Sequence, residues 1–221
     1  MQEILKNIKN YKHIVITVPE DDFIGYLASA NALYTYFLQL HKKISLYKKN
    51  DDFGLNLDFL PWIDKVKTSY PSSADIEIKA LTSIELFEIF ESEKIKLNKK
   101  MALSLYAGLV YETNGFRKTD SSVFLMAHKL LEIDIESDMC YKSILDYQTL
   151  SSLRLKAILL KKMILQESGS LAYFKVDDAD LDMSGAKLDD VDIIIQEALS
   201  LPTVTKVKVV YKNNIIRSQS E

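Results

Sequence analysis

The sequence predicts an α/β protein with a parallel-sheet N-terminal lobe, a long linker helix and a small α/β C-terminal lobe. Three observations carry this. The run His13-Ile14-Val15-Ile16-Thr17-Val18 is β-branched and apolar almost throughout, as a strand buried on both faces requires, and Pro19 closes it. A helical stretch from about Phe23 to Leu40 follows, and Lys43-Ile44-Ser45-Leu46-Tyr47 reads as the next strand; so long a connection makes the two strands parallel and right-handed. Strand-like segments stop after Ile78 and resume only beyond Gly169.

The other elements follow in order. Ile4, Leu5 and Ile8 are spaced as a short amphipathic helix, and Lys65-Val66-Lys67-Thr68 and Asp75-Ile76-Glu77-Ile78 are short strand candidates. Thr82 and Glu85 match a capping box for a helix to about Ser92. Lys99 to Tyr111 and Ser121 to Glu132 read as two more helices with a turn at Asn114-Gly115 between them. Asp138 to Gln166 reads as one long helix. Its apolar positions (Ile144, Leu145, Leu153, Ile158, Leu159, Leu165) exceed one stripe, so it is expected to pack on both lobes or on another subunit. Beyond Gly169, Leu171 to Val176 is a strand, Asp189 caps a helix through Leu199, and Val204 to Tyr211 alternates as a strand, with Lys206 and Lys208 on one face and Val207 and Val209 on the other. Asn213-Asn214 turns the chain into a last strand at Ile215-Ile216. The expected boundaries are 1–137, 138–167 and 168–221.

Composition narrows the function classes. With 48% hydrophobic residues the 221-residue chain can bury a real core, and scarce Gly and Pro leave no low-complexity segment. The net charge of −3 is spread in mixed sign, without the basic stripe of a duplex-binding protein. The single cysteine, Cys140, excludes an internal disulfide and reads as a small, half-buried hydrophobe. No signal-like N-terminus and no apolar run of bilayer length is present, so a cytoplasmic protein without membrane contact is expected.

Two segments offer chemistry. Glu20-Asp21-Asp22 lies at the C-terminal end of a parallel strand, where open α/β sheets place ligands. At most two of three adjacent carboxylates face one point, and the plain alternative is a solvated loop capping a helix. The second segment, Leu103 to Arg117, ends an apolar helix in a polar turn presenting Glu112, Thr113 and Asn114, or else is an ordinary helix end with Gly115 as its left-handed stop.

Together these pieces resemble the DHH phosphoesterases. Ile14-Val15-Ile16-Thr17 followed by Pro19-Glu20-Asp21-Asp22-Phe23-Ile24-Gly25 is similar to that family's first motif, a strand, a histidine and a Pro-Asp-x-Asp-Ala-x-Gly turn. Asn56-Leu57-Asp58-Phe59-Leu60-Pro61 matches a stretch of its small-substrate branch. Tyr106 to Phe116 resembles the fourth motif, centred on Asp-Thr-Gly, and Ser152-Leu153-Arg154-Leu155 resembles the start of the linker helix. The resemblance spans nearly the whole chain and implies a cytoplasmic phosphodiesterase scaffold whose active members use two manganese ions held by aspartates and histidines.

The departures from that pattern set the functional expectation. The first-motif histidine is absent, Glu20 stands for the first aspartate, Leu81 for the second-motif aspartate and Glu112 for the fourth-motif aspartate, and the Asp-His-His motif is missing. The three histidines, His13, His41 and His128, read as surface or lining residues. Glu20, Asp22 and Glu112 remain as a vestigial metal set, enough for at most one weakly bound manganese or magnesium and not for a pair; no cofactor is expected. Arg217 and Lys212 are candidate phosphate contacts in a shortened DHH-associated domain. The expectation is a pseudoenzyme that binds a protein partner or a second copy of itself. The alternatives are a protein that binds a nucleotide or short nucleic acid, and a residual metal-dependent phosphodiesterase.

Overall fold

The computed structural model describes residues 1–20, 23–50, 56–117 and 119–220, and the chain divides into two compact units, Met1–Tyr147 and Gln148–Glu221. The first unit holds α1 (Gln2–Lys6), β1 (His13–Thr17), α2 (Phe23–Gln39), β2 (Lys43–Tyr47), β3 (Val66–Lys67), β4 (Ile76–Lys79), α3 (Ser83–Ser92), α4 (Lys99–Glu112), α5 (Ser121–Leu131) and α6 (Ser137–Ile144). Its strands form a parallel sheet in the order β3-β2-β1-β4.

Register gives that sheet two unlike faces. Ile14 pairs with Ile44 and Ile76, and Ile16 with Leu46 and Ile78, so one face is aliphatic. It joins one core with Leu27, Leu33 and Phe37 of α2, Leu86 and Phe90 of α3, and Leu105 and Leu109 of α4. The other face carries His13, Thr17, Ser45, Tyr47, Lys67, Glu77 and Lys79 around Val15. No helix connects β3 to β4. Residues 68–75 make the crossover, with Tyr70 edge-on to Tyr47 at 5.1 Å between ring centres and its hydroxyl donating to Glu77 Oε2 at 2.6 Å.

The central helix α2 is buried almost all round, and its polar side chains hold the neighbouring loop. Asn31 Oδ1 accepts the Trp62 amide at 2.8 Å, and Thr35 Oγ1 accepts the Trp62 indole N–H at 2.8 Å. Polar groups at such depth need partners, and here they fix the end of the segment beginning Asn56-Leu57.

The second unit contains α7 (Leu150–Lys161), β5 (Ile164–Gln166), β6 (Leu171–Val176), α8 (Asp178–Ser184), α9 (Ile193–Leu199), β7 (Lys206–Tyr211) and β8 (Asn214–Ser220). Its sheet order is β5-β6-β7-β8, with β6 and β7 parallel and both edge strands antiparallel. Leu155, Leu159, Phe174, Ile194, Val207 and Val209 form its separate core. Lys212 and Asn213 have φ of 48° and 66°, the paired left-handed conformation that a two-residue hairpin needs.

The single helix expected over 138–166 is instead two helices and a strand. Thr149 starts afresh as an N-cap, its side chain accepting the Ser152 amide at 3.0 Å. Part of the apolar excess is thereby explained: Ile144 belongs to the first core and Leu159 to the second, whereas Leu153 and Leu165 stay exposed. Unit two accordingly begins at Gln148, well before Gly169. Among the described residues no helix is long and apolar enough to cross a membrane.

Candidate functional site

Ligands of open parallel sheets sit beyond the C-terminal strand ends. In unit one that place is bounded by the outgoing residues of β1, the start of α2, the start of α3 and the end of α4. Small residues bring the three helices together. A Cβ on Gly108 of α4 would fall 1.8 Å from Ser83 Oγ, and a Cβ on Gly25 of α2 would fall 2.7 Å from Glu112 Oε1.

Glu112 reaches into this junction. Its Oε1 accepts the Ser83 amide at 2.6 Å and its Oε2 the Ile84 amide at 3.4 Å. Thr82 and Glu85 form the expected capping box at the same helix end. The opening amides of α3 thus all have acceptors, Ser83 and Ile84 on Glu112 and Glu85 on Thr82. The carboxylate also lies at the positive end of the helix dipole. Glu112 was expected to face a metal; its described partners are backbone amides.

Glu20, at the end of β1, is half-exposed and close to a different set of groups. Its Oε2 accepts from Asn50 Nδ2 at 3.2 Å and lies 3.8 Å from Lys48 Nζ. The Lys48 side chain is only 3% exposed and donates to the Asn50 carbonyl at 2.8 Å. Asp21 and Asp22 lie outside the described residues.

The turn after α4 is turned inward. Thr113 is buried, its hydroxyl donating to the Leu109 carbonyl at 2.7 Å and accepting the Phe116 amide at 2.9 Å. Asn114, Gly115 and Phe116 all have positive φ, and a Cβ on Gly115 would press on Leu145 Cδ1 at 2.7 Å.

Of the three histidines read as surface or lining residues, His13 is 8% exposed, on the polar sheet face, with Nε2 2.9 Å from Ser45 Oγ. The strand places it there because His13 shares its face with buried Val15. His41 and His128 are exposed, the latter 3.7 Å from Glu132. Burial pushes the Cys140 thiol up to about 12, so it behaves as a hydrophobe. Among the described residues no three His, Cys, Asp or Glu side chains gather as a metal-holding group. With Glu112 on two amides and Glu20 beside an ammonium, the described residues do not fit the paired metals of the resembled family.

In unit two, Arg217 and Lys212 engage carboxylates of their own unit. Arg217 Nε donates to Asp192 Oδ1 at 2.6 Å and Nη2 to Asp192 Oδ2 at 3.3 Å, with Asp189 at 3.5 Å. Lys212 lies 3.2 Å from Asp178 Oδ2 and stacks over Tyr211 at 4.9 Å. The sequence reading missed Lys48, whose burial nothing in Tyr47-Lys48-Lys49 announces. It placed Gly25 and Gly108 within motifs without reading their packing role, though a glycine inside a helical pattern is a signal of close packing.

No protein-family model matches the chain, and no curated protein matches it in sequence. Solved structures do. An exopolyphosphatase-related protein from Bacteroides fragilis superposes with a TM-score of 0.75 at 16% identity, over 95% of this chain and 78% of that one. A Methanococcus jannaschii protein assigned to the family II inorganic pyrophosphatases is 15% identical over 90% of this chain and 83% of its own, but its TM-score of 0.34 supports no argument. The first likeness establishes the fold: a mixed α/β architecture with a four-stranded parallel sheet and a second small sheet.

Proposed function

We propose that this chain uses a DHH-phosphoesterase scaffold to bind a protein partner, a second copy of itself included, and does not hydrolyse phosphoesters through a metal pair. Glu112 supports this most. Its carboxylate accepts two opening amides of α3, and swinging away from them toward a metal would weaken both bonds. The surface supports the binding half of the reading. Phe124 and Leu125 on α5 are each 56% exposed, and unit two exposes Leu150, Leu153, Ile164, Leu165 and Met183, apolar side chains that a partner could cover. Nucleotide binding draws less support, because Arg217 and Lys212 are already paired with Asp192 and Asp178.

Two measurements test the proposal. The purified chain with manganese or magnesium is expected to release no product from bis-(p-nitrophenyl) phosphate or from a dinucleotide above a protein-free control. Turnover that Asp22→Asn abolishes would overturn the non-catalytic reading. Light scattering is expected to give a mass above that of one chain, alone or with a co-purifying protein. A strict monomer that instead binds dinucleotide by calorimetry would move the function to the nucleotide reading.

A further inference from the structure

We infer that the cavity between the polar sheet face and the β3–β4 crossover binds a small tetrahedral oxyanion, either free or as the head of an ester. Ser45, Leu46, Tyr47, Lys67, Ser69 and Pro71 line about 120 Å³, room for several waters and so for one ion of phosphate size. The side chain of Leu46 belongs to the core on the aliphatic face, so this residue meets the cavity through its main chain. None of the six is acidic, and their polar side chains carry three hydroxyls and one ammonium. A lining that offers protons and no negative charge suits an anion. The helices that carry Glu112 and the amides it accepts pack on the opposite face, so this site is separate from theirs and independent of the proposed protein partner.

Two features leave the donors available. Lys67 has no carboxylate partner among the described residues. Glu77, on the same sheet face, is taken by the hydroxyls of Thr17 at 2.7 Å and Tyr70 at 2.6 Å. The Tyr70 bond also pins the crossover over the sheet as the cavity wall, its ring edge-on to Tyr47. The second feature is His13. Its Nδ1 is buried without a hydrogen-bond partner among the described residues, whereas Nε2 is 2.9 Å from Ser45 Oγ. A neutral imidazole carries one proton, and Nε2 is the nitrogen with an acceptor in reach, so the proton is assigned there. Nε2–H then donates to Ser45 Oγ, and the Ser45 hydroxyl proton is left for the cavity.

The test titrates the ¹⁵N-labelled chain with inorganic phosphate or glycerol 3-phosphate at constant ionic strength, with chloride as the control anion, and follows amide shifts by NMR. Saturable shifts confined to residues 45–47 and 67–71 are expected. Lys67→Gln and Ser45→Ala are each expected to weaken binding ~10-fold, the loss of one hydrogen bond to a charged group. Lys79→Gln, which removes a lysine of the same face that does not line the cavity, is expected to change it less than ~2-fold. Circular dichroism confirms that each variant is folded, and the exposed Lys67 keeps the test decisive if Ser45→Ala folds poorly. Saturation by glycerol 3-phosphate at the same residues assigns the site to the head of an ester, and saturation by phosphate alone to the free ion. Shifts that never saturate, or that persist unchanged in Lys67→Gln, overturn the inference.

Discussion

At Glu112, one carboxylate serves two amides of a helix it does not belong to. Glu112→Ala is therefore expected to destabilise unit one by about 1–3 kcal/mol, the range for stranding partly buried donors, and Glu112→Gln by less, since its amide oxygen still accepts one bond; urea melts followed by circular dichroism measure both. Asp75 acts in a similar way at the opposite end of the sheet. Its Oδ2 accepts the His13 amide at 2.9 Å and the Lys12 amide at 2.6 Å, and these bonds, His13's first, hold its pKa below the ordinary carboxylate value. A depressed folded pKa contributes stability above the unfolded value, about 3.9, and loses it as pH falls through the folded one. Melts across pH 6 to 2 are expected to fall less steeply for Asp75→Asn than for wild type. Cys140, buried and raised to about 12, is expected to resist a thiol reagent in the folded protein and react once unfolded in urea; rapid labelling of the native chain would contradict this. Of the candidate residues, sequence could name Glu20 and Glu112 because motif position is local. It could not tell that Glu112 serves α3, because Ser83 lies across a tertiary contact.

At the scale of elements, the local signals were readable. The Thr82–Glu85 capping box, the β1 and β6 runs and the Lys206 to Tyr211 alternation appear where the residues place them. The break inside 138–166 was hidden because two helices facing different cores give a combined apolar pattern wider than either, and only Thr149 marks the restart. The acid-rich helix α8, capped by Asp177 and ended by left-handed Gly185, was missed for want of a strong apolar stripe. Packing at this scale is tightest where α3 meets α4. Gly108→Ala would drive a methyl into Ser83 and is expected to cost roughly 1–3 kcal/mol by overpacking, read as a lower urea midpoint with an unchanged slope. A neutral Gly108→Ala would mean that the two helices are not in such close contact.

Over the whole molecule, two cores with their own sheets imply two folding units. The fold class was legible because parallel β-α-β order constrains topology strongly, whereas the state of the site depends on side chains from four separated segments, which no single motif reports. The central claim is that these segments satisfy one another and leave no seat for paired metals. A crystal soaked in manganese and measured at its absorption edge tests this most directly. The account predicts no anomalous peak beside β1, with Glu112 still on the Ser83 and Ile84 amides and Glu20 beside Lys48. Two peaks a few ångströms apart, with Glu20 and Glu112 swung onto them, would contradict it.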